Sequence, residues 1–358
     1  MKKNNSFLKS YKNLRVLITG TTGFKGAWLA FWLNQIGARV TGVALKPEDN
    51  SVLFRSLKLD KKIQQYYIDI TNFRKLNELI KKKKPDIIFH LAAQSIVSAS
   101  FVDPLNTIKT NILGSANILE AFRINEIPNL VYITSDKCYL NLDKKKDYKE
   151  TDILGGIDNY SASKASAEII FSSYFNSYFA KEKKLRLASV RAGNVVGGGD
   201  MKKDRIVPDI INSLSNNKKL ILRNPKATRP WQHVLEPLSG YLLLGHKLIN
   251  NELKNDILPN WNFGPKTKNC KNVEFITKII IKNWKKTKIN ILINNKKKYH
   301  ESKFLSLNIQ KAKKELNWEP RLNLIETLKL TVDWYKIYFE NKKIEHYTSK
   351  QIDYFLNK

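Results

Sequence analysis

A glycine-rich loop between a short apolar strand and an apolar helix constrains the fold of this 358-residue chain more than any other feature. Residues 14–20 have the length and apolar content of a buried strand, and residues 27–37 carry apolar side chains at helical spacing. Glycines at such a turn let backbone amides approach a pyrophosphate, to which the helix N-terminus adds a partial positive charge. Because the spacing is GxxGxxG rather than GxGxxG, a simple tight turn is the alternative. The loop predicts a dinucleotide site lined by Gly20, Thr22, Gly23, Phe24, Lys25 and Gly26.

Predicted strands and helices alternate up to Arg191, and the rhythm then breaks at a run of three glycines. Alternation implies right-handed crossovers and a parallel sheet. The predicted fold class is therefore α/β, a Rossmann-type doubly wound sheet with a smaller C-terminal lobe for the substrate. We expect the dinucleotide domain over 1–191, with a returning segment at about 232–262, and the substrate lobe over 192–231 and 263–358. The predicted strands are 39–45, 65–69, 86–91, 130–135 and 185–191, and the predicted helices are 73–83, 108–125 and 160–180.

The net charge of +31 would ordinarily indicate a nucleic acid or an anionic membrane as partner. Only 11 of the 63 basic residues are arginine, the residue best suited to phosphate and base recognition, and many lysines lie in Lys/Asn/Ile-rich stretches. The charge is therefore best explained by solvated lysine-rich faces, and the alternative explanation is a field that attracts anions. We expect no nucleic-acid partner.

The sequence predicts a cytoplasmic protein without a metal or a membrane anchor. It has no run of 18 apolar residues, and residues 1–12 lack the apolar centre of a secretory signal. Cys138 and Cys270 form no metal-ligand pattern, which fits a reducing compartment.

The end of the second strand bears on which dinucleotide binds. An Asp or Glu there often holds the adenosine ribose, whereas this strand is followed by Lys46, with Glu48 just beyond. We expect NAD, favoured modestly over NADP because Lys46 could face a 2′-phosphate. After the third strand, Asp69 and Ile70 could contact the adenine. The alternative is that Asp69 is only an acidic residue at a helix N-terminus.

Tyr160 and Lys164 are candidates for catalysis. They are four residues apart on a predicted helix and therefore share one face. A free tyrosine has a pKa of about 10, too high for a base at neutral pH, and a neighbouring ammonium lowers it. We expect Tyr160 to be the base, and Lys164 to lower its pKa and bind the nicotinamide ribose. A surface pair on a helix is the alternative.

The strand before this helix ends at residues 133–139 (ITSDKCY). Residues beyond the carboxyl ends of parallel strands line the ligand crevice. The Ser135 hydroxyl could bind the substrate alcohol that Tyr160 deprotonates. Asp136 and Lys137 could supply a second acid–base pair, with a loop ion pair as the alternative.

Together these motifs resemble the extended short-chain dehydrogenase/reductase family, from Val16 to about Tyr335. Eight segments carry the resemblance: TGTTGFKGAWL at 19–29, FHLAAQ at 89–94, TSDKCY at 134–139, YSASKASAE at 160–168, RAGNVVGGGD at 191–200, DRIVPDI at 204–210, RPWQHVLEPLSGY at 229–241 and WNFGP at 261–265. The Asp136-Lys137 pair is similar to that of the nucleotide-sugar 4,6-dehydratases that act on CDP-glucose. The dTDP-glucose branch carries Glu in place of the lysine, and epimerases of this fold commonly lack the pair.

The resemblance implies a lyase that converts CDP-glucose to CDP-4-dehydro-6-deoxyglucose and water. It implies transient C4 oxidation by bound NAD, with Tyr160 as base, then loss of water across C5–C6 and return of the hydride to C6. Asp136 is the implied acid at the C6 hydroxyl, and Lys137 the implied base at C5. The alternatives are a C4 epimerase or a reductase of the same fold, and a non-catalytic polyanion-binding protein.

The resemblance also implies binding residues and a homodimer. Asn194 and Arg229 would contact the substrate phosphates, and Arg205 and Asn262 are weaker candidates. The family dimerises through paired helices, and the predicted helix 160–180 offers Phe171, Tyr174, Phe175 and Tyr178 for such a contact. The alternative is that these side chains pack on this chain's own sheet. The further residues implied at the cofactor are Leu91, Ala92, Ala93, Gln94 and Asn111.

Overall fold

The core of the protein is a seven-stranded sheet in which every neighbouring pair of strands runs parallel. The structure, a computed structural model, describes residues 5–181, 184–253, 259–266, 269–285, 289–293 and 304–358. Its strands are β1 (Arg15–Thr19), β2 (Arg39–Ala44), β3 (Gln64–Tyr67), β4 (Ile87–His90), β5 (Asn129–Ile133), β6 (Arg186–Ala192), β7 (Val195–Val196), β8 (Leu220–Leu222), β9 (Thr228–Pro230), β10 (Gln232–His233), β11 (Asn260–Phe263), β12 (Cys270–Asn272) and β13 (Ile291–Ile293). The order in the large sheet is β11-β6-β5-β4-β1-β2-β3.

Helices cover both faces of this sheet. Side chains alternate along β1, so that Val16 and Ile18 enter one apolar core while Leu17 enters the other. The helices are α1 (Phe24–Gln35), α2 (Val52–Ser56), α3 (Leu59–Lys62), α4 (Phe73–Lys83), α5 (Val97–Val102), α6 (Pro104–Ile108), α7 (Gly114–Ile124), α8 (Asn159–Tyr174), α9 (Ile206–Ser215), α10 (Leu235–Ile249), α11 (Val273–Trp284), α12 (Gln310–Leu316), α13 (Leu324–Phe339) and α14 (Ile344–Leu356). Helices α1 and α10 share the first core, and α4, α7 and α8 share the second. The doubly wound α/β fold class is confirmed.

The strand order reverses at β1, whose neighbours are β2 on one side and β4 on the other. Chain connections leave the sheet in opposite directions at such a point, so a crevice opens at the carboxyl ends of the strands. The strand order therefore places the predicted ligand site in the crevice at the carboxyl end of β1.

The chain returns to the sheet after residue 231. Helix α10 contributes Leu235, Leu238 and Leu242 to the first core, and β11 pairs with β6 with Asn262 opposite Arg191. The two-stranded pairs β8–β13 and β9–β12 lie outside the large sheet. Near the C-terminus α14 packs on α1, where the rings of Trp32 and Phe355 are 6.1 Å apart.

Several local features differ from the sequence prediction. The helix predicted over 108–125 begins earlier, with α6, and runs through a π-helical turn at Lys109–Leu113 into α7. Another π-helical turn, Phe175–Phe179, follows α8. Helices α2 and α3 in the connection after β2 were not predicted. Among the residues that the structure describes, no helix is long and apolar enough to cross a membrane.

The aromatic residues assigned to a dimer contact do not all face outward. Phe171 is buried and its ring lies 5.3 Å from that of Tyr132, so its placement in that contact is wrong. Tyr174 and Phe175 are half-buried against the second core, and Tyr178 is exposed beside Arg123. Packing on this chain's own sheet therefore accounts for most of the set, because one face of α8 covers β5.

Candidate active site

A cleft of about 580 Å³ opens at the carboxyl ends of β1, β4, β5 and β6. This volume is in the range of small-molecule sites. Of the predicted site residues, all except Lys164, Asn111 and Asn262 line it. Those that do are Gly20, Thr22, Gly23, Phe24, Lys25, Gly26, Asp69, Ile70, Leu91, Ala92, Ala93, Gln94, Ser135, Asp136, Lys137, Tyr160, Asn194, Arg205 and Arg229.

The glycine loop makes a backbone cradle at the start of α1. Gly20 has a φ of +80°, and a Cβ on it would lie 2.9 Å from the amide nitrogen of Ala92. A Cβ on Gly26 would lie 2.1 Å from the carbonyl oxygen of Gly20. Gly23 is the N-cap of the helix, and the residues of the first turn of α1, whose amides have no partner within the helix, line the cleft. This donor set suits a pyrophosphate.

The loop after β5 presents Ser135 and Asp136 to the cleft. The Ser135 hydroxyl donates to Asp136 Oδ1 at 3.0 Å and accepts from the Lys137 amide, which starts a 3₁₀ turn at Asp136–Cys138. Asp136 is only 2% exposed. Burial raises the pKa of its carboxyl, while the charges of Lys137, Arg229 and Lys25 oppose that rise.

Tyr160 reaches the same place from the start of α8. Asp158 caps this helix, its carboxylate accepting from the Ser161 amide at 2.9 Å. Burial raises the pKa of the Tyr160 phenol to about 12, although a hydrogen bond with Ser135 and the charge of Arg205 lower it. The net direction is thus opposite to the expected lowering, because desolvation of the phenolate outweighs the Ser135 hydrogen bond and the charge of Arg205.

Lys164 lies one turn further along α8 and is buried rather than exposed to the cleft. Burial lowers the pKa of its ammonium to about 8, and the charge of Lys25 acts in the same direction. Its charge also lowers the pKa of the buried His90, and its predicted contact with the nicotinamide ribose stays a prediction.

Lys25 extends from the glycine loop towards Arg205 and Asp136. Its Nζ is 5.9 Å from the centroid of the Tyr241 ring. Burial lowers the pKa of this ammonium to about 8, with Arg205 acting in the same direction and Asp136 opposing. The sequence predicted Lys25 only as a loop residue at the cofactor, whereas the structure also brings its charge close to Asp136.

Two arginines and an asparagine form the opposite wall. Arg205 is paired with Asp200 at 2.8 Å and donates to the Ser95 hydroxyl at 2.7 Å. Arg229 lies on β9, and its charge lowers the pKa of Asp136. Asn194 follows β6 with a φ of 43°, a left-handed conformation that asparagine tolerates.

The other two predicted residues outside the cleft have structural contacts instead. The Asn111 side chain is fully buried; its Oδ1 accepts from the Gln94 amide at 2.8 Å, and its Nδ2 donates to the Ser163 hydroxyl at 2.9 Å. These bonds join the segment 91–94 to α8, and the predicted place of Asn111 at the cofactor stays a prediction. Asn262 is also fully buried and its Oδ1 accepts from the Tyr139 hydroxyl at 2.8 Å, so its assignment to the substrate is wrong.

The distal end of the cleft lies beyond β2 and β3. Lys46 and Glu48 line it beside Asp69 and Ile70. Asp69 also accepts from the Thr71 amide at 2.8 Å, so it supports the turn before α4 and faces the cleft at once. Residues that the sequence did not single out line the other end, among them Gly193, Arg223 and Asn224. Gly193 lies in a segment that carries the family resemblance, but no local sequence pattern shows which residues of a segment face a ligand.

A Rossmann fold whose crevice holds a glycine loop, a Tyr-Lys helix and a Ser-Asp loop defines the class of extended short-chain dehydrogenases/reductases. Within that class, the chain belongs to the GDP-mannose 4,6 dehydratase family, whose model matches residues 17–331. A curated relative, the CDP-glucose 4,6-dehydratase of Salmonella typhimurium, is 40% identical over 352 residues, covering 97% of each chain.

Solved structures share the fold. The dTDP-glucose 4,6-dehydratase of Bacillus anthracis, crystallised in complex with NAD, superposes with a TM-score of 0.75 at 24% identity over 93% of this chain and 99% of that one. An epimerase from Methanothermobacter thermautotrophicus gives a TM-score of 0.80 at 23% identity over 94% and 96% of the two chains.

Proposed function

We propose that the protein is an NAD-dependent nucleotide-sugar 4,6-dehydratase that converts CDP-glucose to CDP-4-dehydro-6-deoxyglucose and water. The observation that carries this proposal is the placement of two acid–base groups, Tyr160 and Asp136, on either side of the Ser135 hydroxyl in one cleft. An oxidation at C4 and an elimination at C5–C6 need two such groups on one sugar. The relative that acts on CDP-glucose supports the choice of nucleotide.

The residues present fit a dinucleotide. The amides at the start of α1 would hold the pyrophosphate, Asp69 and Ile70 would contact the adenine end, and residues 91–94 would line the nicotinamide end. When bound, NAD supplies the reversible two-electron oxidation at C4 and a positive charge near the catalytic tyrosine. NAD is preferred over NADP in this proposal, since Glu48 lines the cleft near Lys46 and would repel a 2′-phosphate.

Tyr160 accepts the C4 hydroxyl proton, and the Ser135 hydroxyl orients that alcohol. A phenol with a pKa of about 12 is protonated at neutral pH, so its activation depends on positive charge brought into the cleft together with that of Arg205. Lys164, one turn further along α8, is the proposed contact of the nicotinamide ribose. The resulting 4-ketone acidifies the C5–H bond.

Asp136 then donates a proton to the leaving C6 hydroxyl. Its burial, which raises the pKa of the carboxyl, favours the protonated form that an acid needs. Lys137 is the proposed base at C5, since it follows Asp136 directly and also lines the cleft. The base returns the proton to C5 when the sugar is reduced at C6, so no net redox change remains.

Arg205, Arg229 and Asn194 are the proposed contacts of the substrate diphosphate. Both guanidinium groups line the cleft, and a planar guanidinium matches phosphate geometry. The proposed division of labour places the substrate on 192–231 and 263–358 and the cofactor on 1–191 with 232–262.

We also propose a homodimer in the cytoplasm. Apolar side chains are exposed along α5, α6 and the π-helical turn, namely Val102, Leu105, Ile108 and Leu113, with Ile169 exposed on α8. Val102 and Leu105 are each more than three-quarters exposed, so a second copy would bury apolar surface here.

The test is to incubate the protein and NAD with CDP-, dTDP-, UDP- and GDP-glucose and to weigh the products. The proposal expects a CDP sugar lighter by one water, with the ultraviolet absorbance that 4-keto sugars develop in alkali. Loss of this product in Tyr160→Phe supports the role of the phenol. A CDP sugar of unchanged mass but inverted C4 would identify an epimerase instead, and no reaction with any of the four sugars would refute the proposal.

A further inference from the structure

The Asp136 carboxyl occupies the space where a side chain at position 193 would be. An ideal Cβ on Gly193 would lie 1.6 Å from Asp136 Oδ2 and 2.1 Å from its Cγ. Real Cβ contacts essentially never fall under 3.0 Å, so the two groups cannot coexist. Oδ1 is held by Ser135 at 3.0 Å, whereas Oδ2 is buried with no hydrogen-bond partner among the described residues.

The backbone at Gly193 is held in place. Its carbonyl oxygen accepts from the side-chain Nε2 of Gln232 at 3.1 Å, and the same Nε2 donates to the Phe263 carbonyl at 2.9 Å. Gln232 also donates its backbone amide to the carbonyl of Asn194 at 3.3 Å. Because these bonds tie the segment after β6 to β10 and β11, the strand end resists displacement. A new side chain would therefore move the carboxyl.

Backbone conformation does not explain the glycine. The described glycines with a left-handed φ are Gly20, Gly37 and Gly199, and Gly193 is not one of them. Its φ lies outside the left-handed region, and the three atoms nearest to a Cβ at this position all belong to Asp136. The need for glycine at this position is thus steric, and it comes from the Asp136 carboxyl.

We infer that Gly193 is a positioning residue that sets Asp136 in the orientation from which it protonates the leaving C6 hydroxyl. This inference rests on the proposed function. Any side chain at 193 displaces the carboxyl from that oxygen and slows the loss of water, while the oxidation at C4, which uses Tyr160 and Ser135, continues.

The contact itself is tested without substrate, by a thermal double-mutant cycle of Gly193→Ala, Asp136→Ala and the double variant. We expect Gly193→Ala to lower the melting temperature clearly in the wild-type background and little in the Asp136→Ala background, since the shortened side chain leaves room for the new methyl. Gly264→Ala, whose nearest Cβ contact would be 3.2 Å from Leu307, is the control and should act equally in both backgrounds. Equal losses for Gly193→Ala in both backgrounds would overturn the inference.

The role in catalysis is tested with CDP-glucose and NAD. A misplacement of about 1 Å can cost about 100-fold in rate, so we expect Gly193→Ala to lose about 100-fold in kcat with little change in KM. The reduced cofactor should accumulate on this variant, visible by its near-ultraviolet absorbance, because oxidation outruns elimination. Wild-type turnover, or slow turnover with the cofactor still oxidised, would overturn the inference.

The double variant keeps the test decisive if Gly193→Ala alone does not fold. It should fold and behave like Asp136→Ala, with reduced cofactor and little product; a further loss beyond that of Asp136→Ala would contradict a role through Asp136. If the wild-type protein leaves CDP-glucose unchanged, the proposed function fails, and the thermal cycle still decides whether Gly193 sets the position of the carboxyl.

Discussion

The buried ion pair of Glu168 and Arg191 permits a sharp prediction about stability. The Arg191 Nη2 donates to Glu168 Oε2 at 2.7 Å, and the two side chains are 2% and 1% exposed. Ser189 donates to the same oxygen at 3.0 Å, and Thr134 donates to Oε1. The network ties α8 to β6 and to Thr134, the residue between β5 and Ser135. Glu168→Gln would leave the guanidinium buried without its counter-charge.

Removing one partner of a buried pair costs about 3–5 kcal/mol, because the remaining charge stays desolvated. The entropy of unfolding is about 2.1 cal/mol/K per residue, or about 0.75 kcal/mol/K for 358 residues. Glu168→Gln should therefore lower the melting temperature by about 4–7 °C, provided that the chain unfolds as one unit.

Differential scanning calorimetry measures this shift, and the chain offers a matched control. Glu120 also pairs with an arginine, Arg123, at 2.7 Å, but the two side chains are 31% and 37% exposed. Exposed pairs contribute about 0–1 kcal/mol, so Glu120→Gln should shift the melting temperature by about 1 °C or less. Equal shifts for the two variants would refute the argument that burial sets the cost.

Three further predictions concern pH and assembly. Burial lowers the pKa of His90 and of His233 to about 3 from 6.5. Both stay neutral in the folded state, so the free energy of unfolding should fall as pH drops below 6.5, by about 1.4 kcal/mol per pH unit for each. In urea titrations at several pH values, the free energy of unfolding of His90→Gln should depend less steeply on pH than that of the wild type. Lys164 has a folded pKa of about 8 against 10.5, so without added cofactor it should contribute a rise in the free energy of unfolding of about 3 kcal/mol from pH 8 to 10.5. Lys164→Met should lack this contribution and keep that of Lys25, whose pKa is also about 8. Leu105→Lys should convert a dimer to a monomer in light scattering, and a wild-type monomer would exclude the proposed dimer.

Elements with a strong local signal were predictable from the sequence. The strands β1, β2, β5 and β6 are apolar runs bounded by glycine, proline or polar residues, and their predicted limits differ from the structure by one or two residues. Helix α4 was predicted over its observed range, because it starts at the Asn72 cap and ends at a lysine-rich turn. The glycine loop, the catalytic loop and the Tyr160 helix then meet because parallel strands end at one edge of the sheet.

Features that depend on tertiary environment were not predictable. The spacing of Tyr160 and Lys164 is visible in the sequence, but their desolvation is not, and desolvation sets the direction of both pKa shifts. Asn262 belongs to a recognisable segment, yet its buried side chain bonds to the Tyr139 hydroxyl and the Tyr148 carbonyl and does not line the cleft. The steric relation of Gly193 to Asp136 joins two segments 57 positions apart and leaves no local trace.

The large net charge is not concentrated at the cleft. Among the described residues, seven cationic side chains and six carboxylates line it. The cations are Lys25, Lys46, Lys137, Lys202, Arg205, Arg223 and Arg229, and the carboxylates are Glu48, Asp69, Asp136, Asp200, Asp204 and Asp209. A surplus of one against +31 for the chain places nearly all of the excess elsewhere, as in the lysine run that ends α4. The proposed recognition of a diphosphate would then depend on individually placed groups such as Arg205 and Arg229, whose contacts survive salt better than a diffuse field would. Substituting glutamate for Lys81 and Lys82 should leave KM for CDP-glucose unchanged, whereas Arg229→Met should raise it, and the opposite ranking would restore the steering field as the basis of substrate binding.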